Sequence, residues 1–137
     1  MRNTLKTALA VMLLGGTGAA TAQADGSALA GRWVGEMSEP GADITRYEIR
    51  LSFGTDRHGV PVGMVHYDAL HCGGVWTPAE GFPAGARFEE VITDDAGVHC
   101  APQNDVEVSL TERGLNLRFM EPGRNQVIAT ATLRRVH

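Results

Sequence analysis

Two cysteines, five histidines and 16 carboxylates hold most of the chemical potential of this 137-residue chain. Each cysteine follows a histidine, in His71-Cys72 and His99-Cys100. Two Cys and two His can hold zinc tetrahedrally. Adjacent strand residues point to opposite faces, however, so His71 and Cys72 meet on one ion only if the backbone bends. Zinc ligands are also usually separated by about two to four residues. The favoured reading is one Cys72–Cys100 disulfide and no metal site, stabilising the fold by roughly 3–4 kcal/mol through loop closure. His66 and Asp68 share one face of a strand and can pair, but no activated nucleophile accompanies them. His58 falls in a turn and His137 ends the chain, so both are expected in solvent. Ser52 and Ser109 sit on polar strand faces. Glu89 and Glu90 are adjacent and would point apart, a poor start for a two-carboxylate glycosidase site. G-x-S-x-G, a phosphate loop, a dinucleotide fingerprint and H-E-x-x-H do not occur. The expectation is a non-enzyme without cofactor.

The elements that must position these residues follow period two. Tyr47, Ile49, Leu51 and Phe53 alternate with polar residues, as do Val106, Val108 and Leu110, and Leu115, Leu117 and Phe119. That is the pattern of strands with one buried face. Turn signals such as Glu39-Pro40-Gly41, Asp94-Asp95-Ala96-Gly97 and Glu112-Arg113-Gly114 fall between them. The pattern predicts eight strands, near 31–38, 45–54, 60–69, 73–78, 86–93, 105–111, 114–120 and 126–135. The stretch 25–30 reads as a short leader. Eight strands joined by tight turns make an antiparallel meander, which closes into an up-and-down barrel and so removes its edges. A two-sheet β-sandwich is the alternative.

The first 24 residues read as a removable export signal: Arg2 and Lys6, then an apolar run around Leu9–Leu14, then Ala22-Gln23-Ala24. The run is too short and too glycine-broken for the ~20 residues of a membrane span. Removing 24 of the 137 residues leaves 113, enough for one domain at 25–137. It also leaves 10 basic against 16 acidic residues, a net −6, and every remaining basic residue is Arg. That balance argues against a nucleic-acid partner, which would require a basic face. A periplasmic or secreted location is expected, with an envelope protein or a small ligand as partner.

Parity singles out further residues. Glu90 shares the inward parity of Phe88 and Ile92. A buried carboxylate needs a partner, and Arg118 or Arg135 is expected to supply it. The favoured reading of Glu90 is a structural ion pair, or a residue turned outside by a bulge; the other is a charge that orients a ligand inside the barrel. Gly73 and Gly74 permit a bulge or a close strand approach. Gly31-Arg32-Trp33 opens the first strand, and Arg135 shares the parity of Leu133 and Ala131 at the end of the last.

Two resemblances rest on these residues. The Gly31-x-Trp33 start with a late Arg is similar to lipocalin and avidin-type barrels, which implies that Trp33 stacks under Arg135 and closes the barrel. The alternative is a core Trp and two solvated arginines. The run Tyr67-x-x-Leu70-x-Cys72-Gly73-Gly74-x-Trp76, followed by Phe88–Ile92, Cys100 and Ala131–Arg134, resembles a small extracytoplasmic β domain of bacterial exported proteins. It is also similar to the outer domain of some bacterial Ser/Thr kinases. The likeness runs from about Gly31 to Arg135 and implies fold, disulfide and location. It leaves the activity open.

The expected function is therefore an exported, non-catalytic binding or protein-interaction module of the bacterial envelope. Alternatives are a carrier of a small apolar ligand inside the barrel and an inhibitor of a periplasmic enzyme. Tyr67 and Glu90 are candidate contacts. Trp76 and Phe82, with Pro78 and Pro83, are read as an exposed loop that could anchor a partner, or else as core covering the barrel mouth.

Overall fold

A computed structural model describes residues 26–95 and 100–137. The chain begins with a one-turn helix, α1 (Gly26–Leu29), followed by eight strands. They are β1 (Gly31–Ser38), β2 (Arg46–Thr55), β3 (Pro61–Tyr67), β4 (Cys72–Pro78), β5 (Arg87–Asp95), β6 (Gln103–Thr111), β7 (Gly114–Met120) and β8 (Val127–Val136). A single 3-10 turn, Asp68–Leu70, joins β3 to β4. Each strand pairs antiparallel with the next, and β8 pairs with β1, so the sheet is a closed barrel rather than a sandwich. The export signal expected at 1–24, like His99, lies outside the described residues. Among the described residues no helix is long and apolar enough to cross a membrane.

Alternation fixes which side chains fill the interior. β2 buries Tyr47, Ile49, Leu51 and Phe53 and exposes the residues between them. β7 and β8 contribute Leu115, Leu117, Ala131 and Leu133. The middle is packed with rings: Trp76 touches Phe53, Phe88 and Phe119 at centroid separations of 5.8, 5.8 and 5.9 Å. Offset and edge-on contacts of this kind add to the apolar area that the rings bury.

Residues 26–30 do more than lead into β1. Leu29 is fully buried, and its carbonyl accepts a hydrogen bond from the Trp33 indole N–H at 2.9 Å. The helix thus caps one end of the barrel, where the connections β2–β3, β4–β5 and β6–β7 also lie. The other four connections, the 3-10 turn among them, gather at the opposite end.

Among the glycines whose surroundings leave no room for a side chain, two sit at places the sequence singles out. At Gly74 an added Cβ would lie 2.3 Å from the Val91 carbonyl oxygen, and the β4–β5 register shifts between Gly73 and Gly74. The extra residue is Thr93 on β5, opposite the Gly-Gly pair, whose missing side chains allow the close strand approach that the sequence permits. Gly31 has φ +121°, and a Cβ there would meet the Arg135 guanidinium at 2.8 Å. The glycine of Gly31-x-Trp33 leaves room for the arginine.

Candidate functional site

The polar centre of the barrel is Glu90. It is 2% exposed, on β5, between Phe88 and Ile92 in parity. Its inward orientation agrees with the sequence; its partners do not. Arg118 is exposed on the outer face near Glu107, and Arg135 lies over Trp33 at the α1 end. Glu90 is held instead by three neutral donors. The Tyr67 hydroxyl donates to Oε2 at 2.5 Å, the Trp76 indole N–H to the same oxygen at 2.9 Å, and the Asn104 amide to Oε1 at 2.9 Å. The register makes this possible: Trp76 pairs with Glu90 across β4–β5, and Glu90 with Asn104 across β5–β6.

Burial holds the Glu90 carboxyl above its ordinary range, and the three donors pull it partly back. Burial also pushes the Tyr67 hydroxyl well up, reinforced by the neighbouring carboxylate. Tyr47 repeats the motif, donating to Glu39 at 2.5 Å, and its hydroxyl is likewise pushed up by burial and by Glu39. The two tyrosine rings meet edge-on at 5.9 Å.

These groups surround a cavity of about 60 Å³ at the end opposite α1. Met37, Leu70 and Phe119 complete its walls, and half-buried Glu39, Asn104 and Ile128 carry it to the surface. Cys100 lies at its edge, bonded to Cys72 at the start of β4. The disulfide ties the β5–β6 connection to β4, and both sulfurs are consumed by it, which removes the thiolates that a zinc site would need. Among the described residues no group of three or more His, Cys, Asp or Glu could hold a metal ion.

Trp76 stands elsewhere than expected. It is not an exposed loop anchor but a fully buried β4 residue, because it has the inward parity of Gly74 and Cys72. Phe82 is 48% exposed in the β4–β5 connection, with the Arg87 guanidinium 4.7 Å from its ring centroid. It lies at the α1 end, so Tyr67, Trp76 and Glu90 form one cluster and Phe82 stands apart. Trp33 and Arg135 do meet, at 4.2 Å. No family model, curated protein or solved structure matches the chain.

His66 and Asp68 pair at 2.9 Å on the outer face, where Arg50 also reaches Asp68 at 3.0 Å. A hollow of about 630 Å³ lies beside them, lined by Arg32, Arg50, Met64 and Arg134. It is much larger than the Glu90 cavity, but its floor is the outer surface of the sheet and its rim is exposed side chains. Among the described residues Glu90 is the one buried charged side chain, and it lies in the smaller cavity. Sequence reasoning missed Tyr47, Glu39 and Asn104 there. Asn104 shares the parity of Val106 and Val108, which places it inward once β6 starts at least one residue before the expected 105.

Proposed function

We propose that the protein is an exported, non-catalytic binding module of the bacterial envelope, with the Glu90 cavity as its site. The observation that carries this reading is a buried carboxylate, held by donors from β3, β4 and β6, that faces a ring-walled cavity reaching the surface. Fixed polar groups set among apolar and aromatic side chains are the usual make-up of a small-ligand site. The described lining contains no serine, histidine or lysine, and its two tyrosine hydroxyls are held protonated. That composition suits binding better than nucleophilic catalysis. The disulfide fits an oxidising compartment. The likeness to exported bacterial β domains supports the same location.

The space left among the rings argues against an apolar carrier. At about 60 Å³ it falls well below the ~300 Å³ at which small-molecule pockets begin. A second reading, a protein-interaction or enzyme-inhibitor surface, is favoured by Phe82, an exposed ring braced by Arg87.

Affinity capture from the native envelope fraction with the oxidised protein tests both, read out for small molecules and for proteins. Loss of a captured small molecule in Glu90→Gln, with Phe82→Ala unaffected, supports the cavity. Loss of a captured protein in Phe82→Ala alone supports the second reading. Capture indifferent to both substitutions overturns both.

A further inference from the structure

Building on the cavity reading, we propose that the Glu90 cavity binds a small organic monocation, an ammonium or guanidinium head carrying N–H donors. Two carboxylates line the space, Glu90 and Glu39, and no Lys, Arg or His is among its described lining residues. Their hydrogen-bond partners, Tyr67, Trp76, Asn104 and Tyr47, are all neutral. Among the described residues the cavity thus holds acceptors without a counter-charge, whereas a buried charge is ordinarily paired.

Acceptor capacity remains. A carboxylate offers about four acceptor positions. Glu90 uses two on Oε2 and one on Oε1, and Glu39 uses one on Oε1. The positions left over suit a ligand that donates several hydrogen bonds. An anion would face two carboxylates, and an uncharged apolar ligand would leave them unsatisfied. A calcium ion needs six to eight oxygen ligands, more than the two carboxylates supply. Around it stand Tyr47, Tyr67 and Phe119, rings that attract organic cations.

Size narrows the class. One ordered water occupies roughly 10–15 Å³, so a cavity of about 60 Å³ suits a head group of only a few heavy atoms. Methylammonium, guanidinium, or the tip of a lysine or arginine side chain fits that volume. A bulky quaternary ammonium fits poorly and donates nothing. A free amine and a peptide side chain offer the same head group, so the experiment carries an arm for each.

The test is an NMR titration of the oxidised full chain, following the Trp76 indole N–H and the Asn104 amide. The probes are methylammonium, guanidinium, and the blocked amides of lysine and arginine. Sodium chloride, tetramethylammonium and acetate are controls. Saturable shifts with N–H cations and none with the controls are expected. Preference for the blocked amides points to a peptide side chain, and preference for methylammonium to a free amine. Glu39→Gln, whose carboxylate is half-buried at the cavity edge, should fold normally and weaken binding by about tenfold, the scale of one charge-assisted hydrogen bond. Glu90→Gln should abolish binding while near-ultraviolet circular dichroism stays native. Absence of saturable shifts with every cation, or equal shifts with tetramethylammonium, overturns the proposal. If envelope capture then still yields a Glu90-dependent small molecule of another class, the binding-module reading survives without it. If capture yields nothing, both fall.

Discussion

Arg135 lies over Trp33, with the guanidinium carbon 4.2 Å from the indole centroid, and its nitrogens donate to the carbonyls of Ala28 and Ala30. One side chain from the last strand thus covers the first strand's Trp and holds α1 across the barrel end. Arg135→Met keeps the aliphatic stem and loses both charge and donors. We expect it to lower stability by roughly 1–2 kcal/mol, through the cation–π contact and the two hydrogen bonds. Arg135→Lys should recover only part, because an ammonium cannot stack and fork together. Urea unfolding followed by Trp fluorescence measures both; equal stability of all three proteins would refute the closure role.

Tyr67→Phe deletes one of the two donors on Glu90 Oε2. The ring and its packing remain, but a buried carboxylate loses a hydrogen bond at a cost of roughly 1–3 kcal/mol. The Glu90 carboxyl should also rise further above its ordinary range, since a donor to its charged form has gone. Urea unfolding at neutral pH gives the first, and a carbon-13 titration of Glu90 the second. An unchanged Glu90 titration would mean that the hydroxyl does not support the charge.

Why the barrel could be read and its polar centre only partly is visible in particular residues. Period two in β2 and β7 assigns each side chain to a face, and short turns leave antiparallel pairing as the simplest connection. Glu90 was legible as inward for the same reason. Its partners were not, because Tyr67, Trp76 and Asn104 lie 23, 14 and 14 positions away along the chain and meet it only through register and barrel curvature. Trp76 fell within the strand expected at 73–78, but the prolines and glycines that follow it suggested an exposed loop, whereas its parity with Cys72 and Gly74 turns it inward. The cap formed by α1 was hidden for a third reason: a single turn of four residues carries no periodicity.

Removing the disulfide should cost stability without dismantling the barrel. The bridge spans 28 positions, and loop closure of that length is worth roughly 3–4 kcal/mol. It ties β4 to the connection leading into β6, while all eight strand pairings are made independently of it. The double variant Cys72→Ala, Cys100→Ala should keep its far-ultraviolet dichroism, unfold at lower urea, and weaken any ligand at the cavity that Cys100 borders. An unchanged urea midpoint would show that the bridge does not constrain the unfolded chain.

Glu90 also predicts a pH dependence whose sign is fixed. Its folded carboxyl lies above the ordinary value of 4.5, chiefly through burial, so the folded chain holds that proton more tightly than the unfolded chain. Protonation therefore stabilises. The contribution is full below about 4.5 and is lost as pH rises through the raised folded value. Asp56 acts oppositely: backbone donors from Val60 and His58 lower its carboxyl, so its contribution is lost as pH falls. Comparing wild type with Glu90→Gln cancels Asp56, which both share. The Gln amide suits the site sterically, because its oxygen can accept from Tyr67 and Trp76 while Asn104 turns its own oxygen toward the new NH₂. The stability difference, wild type minus variant, should thus decline as pH rises above about 4.5 and level off once Glu90 is ionised. Urea midpoints for the two proteins across the acidic range provide the measurement. Parallel curves would mean that Glu90 carries no raised carboxyl in the folded barrel.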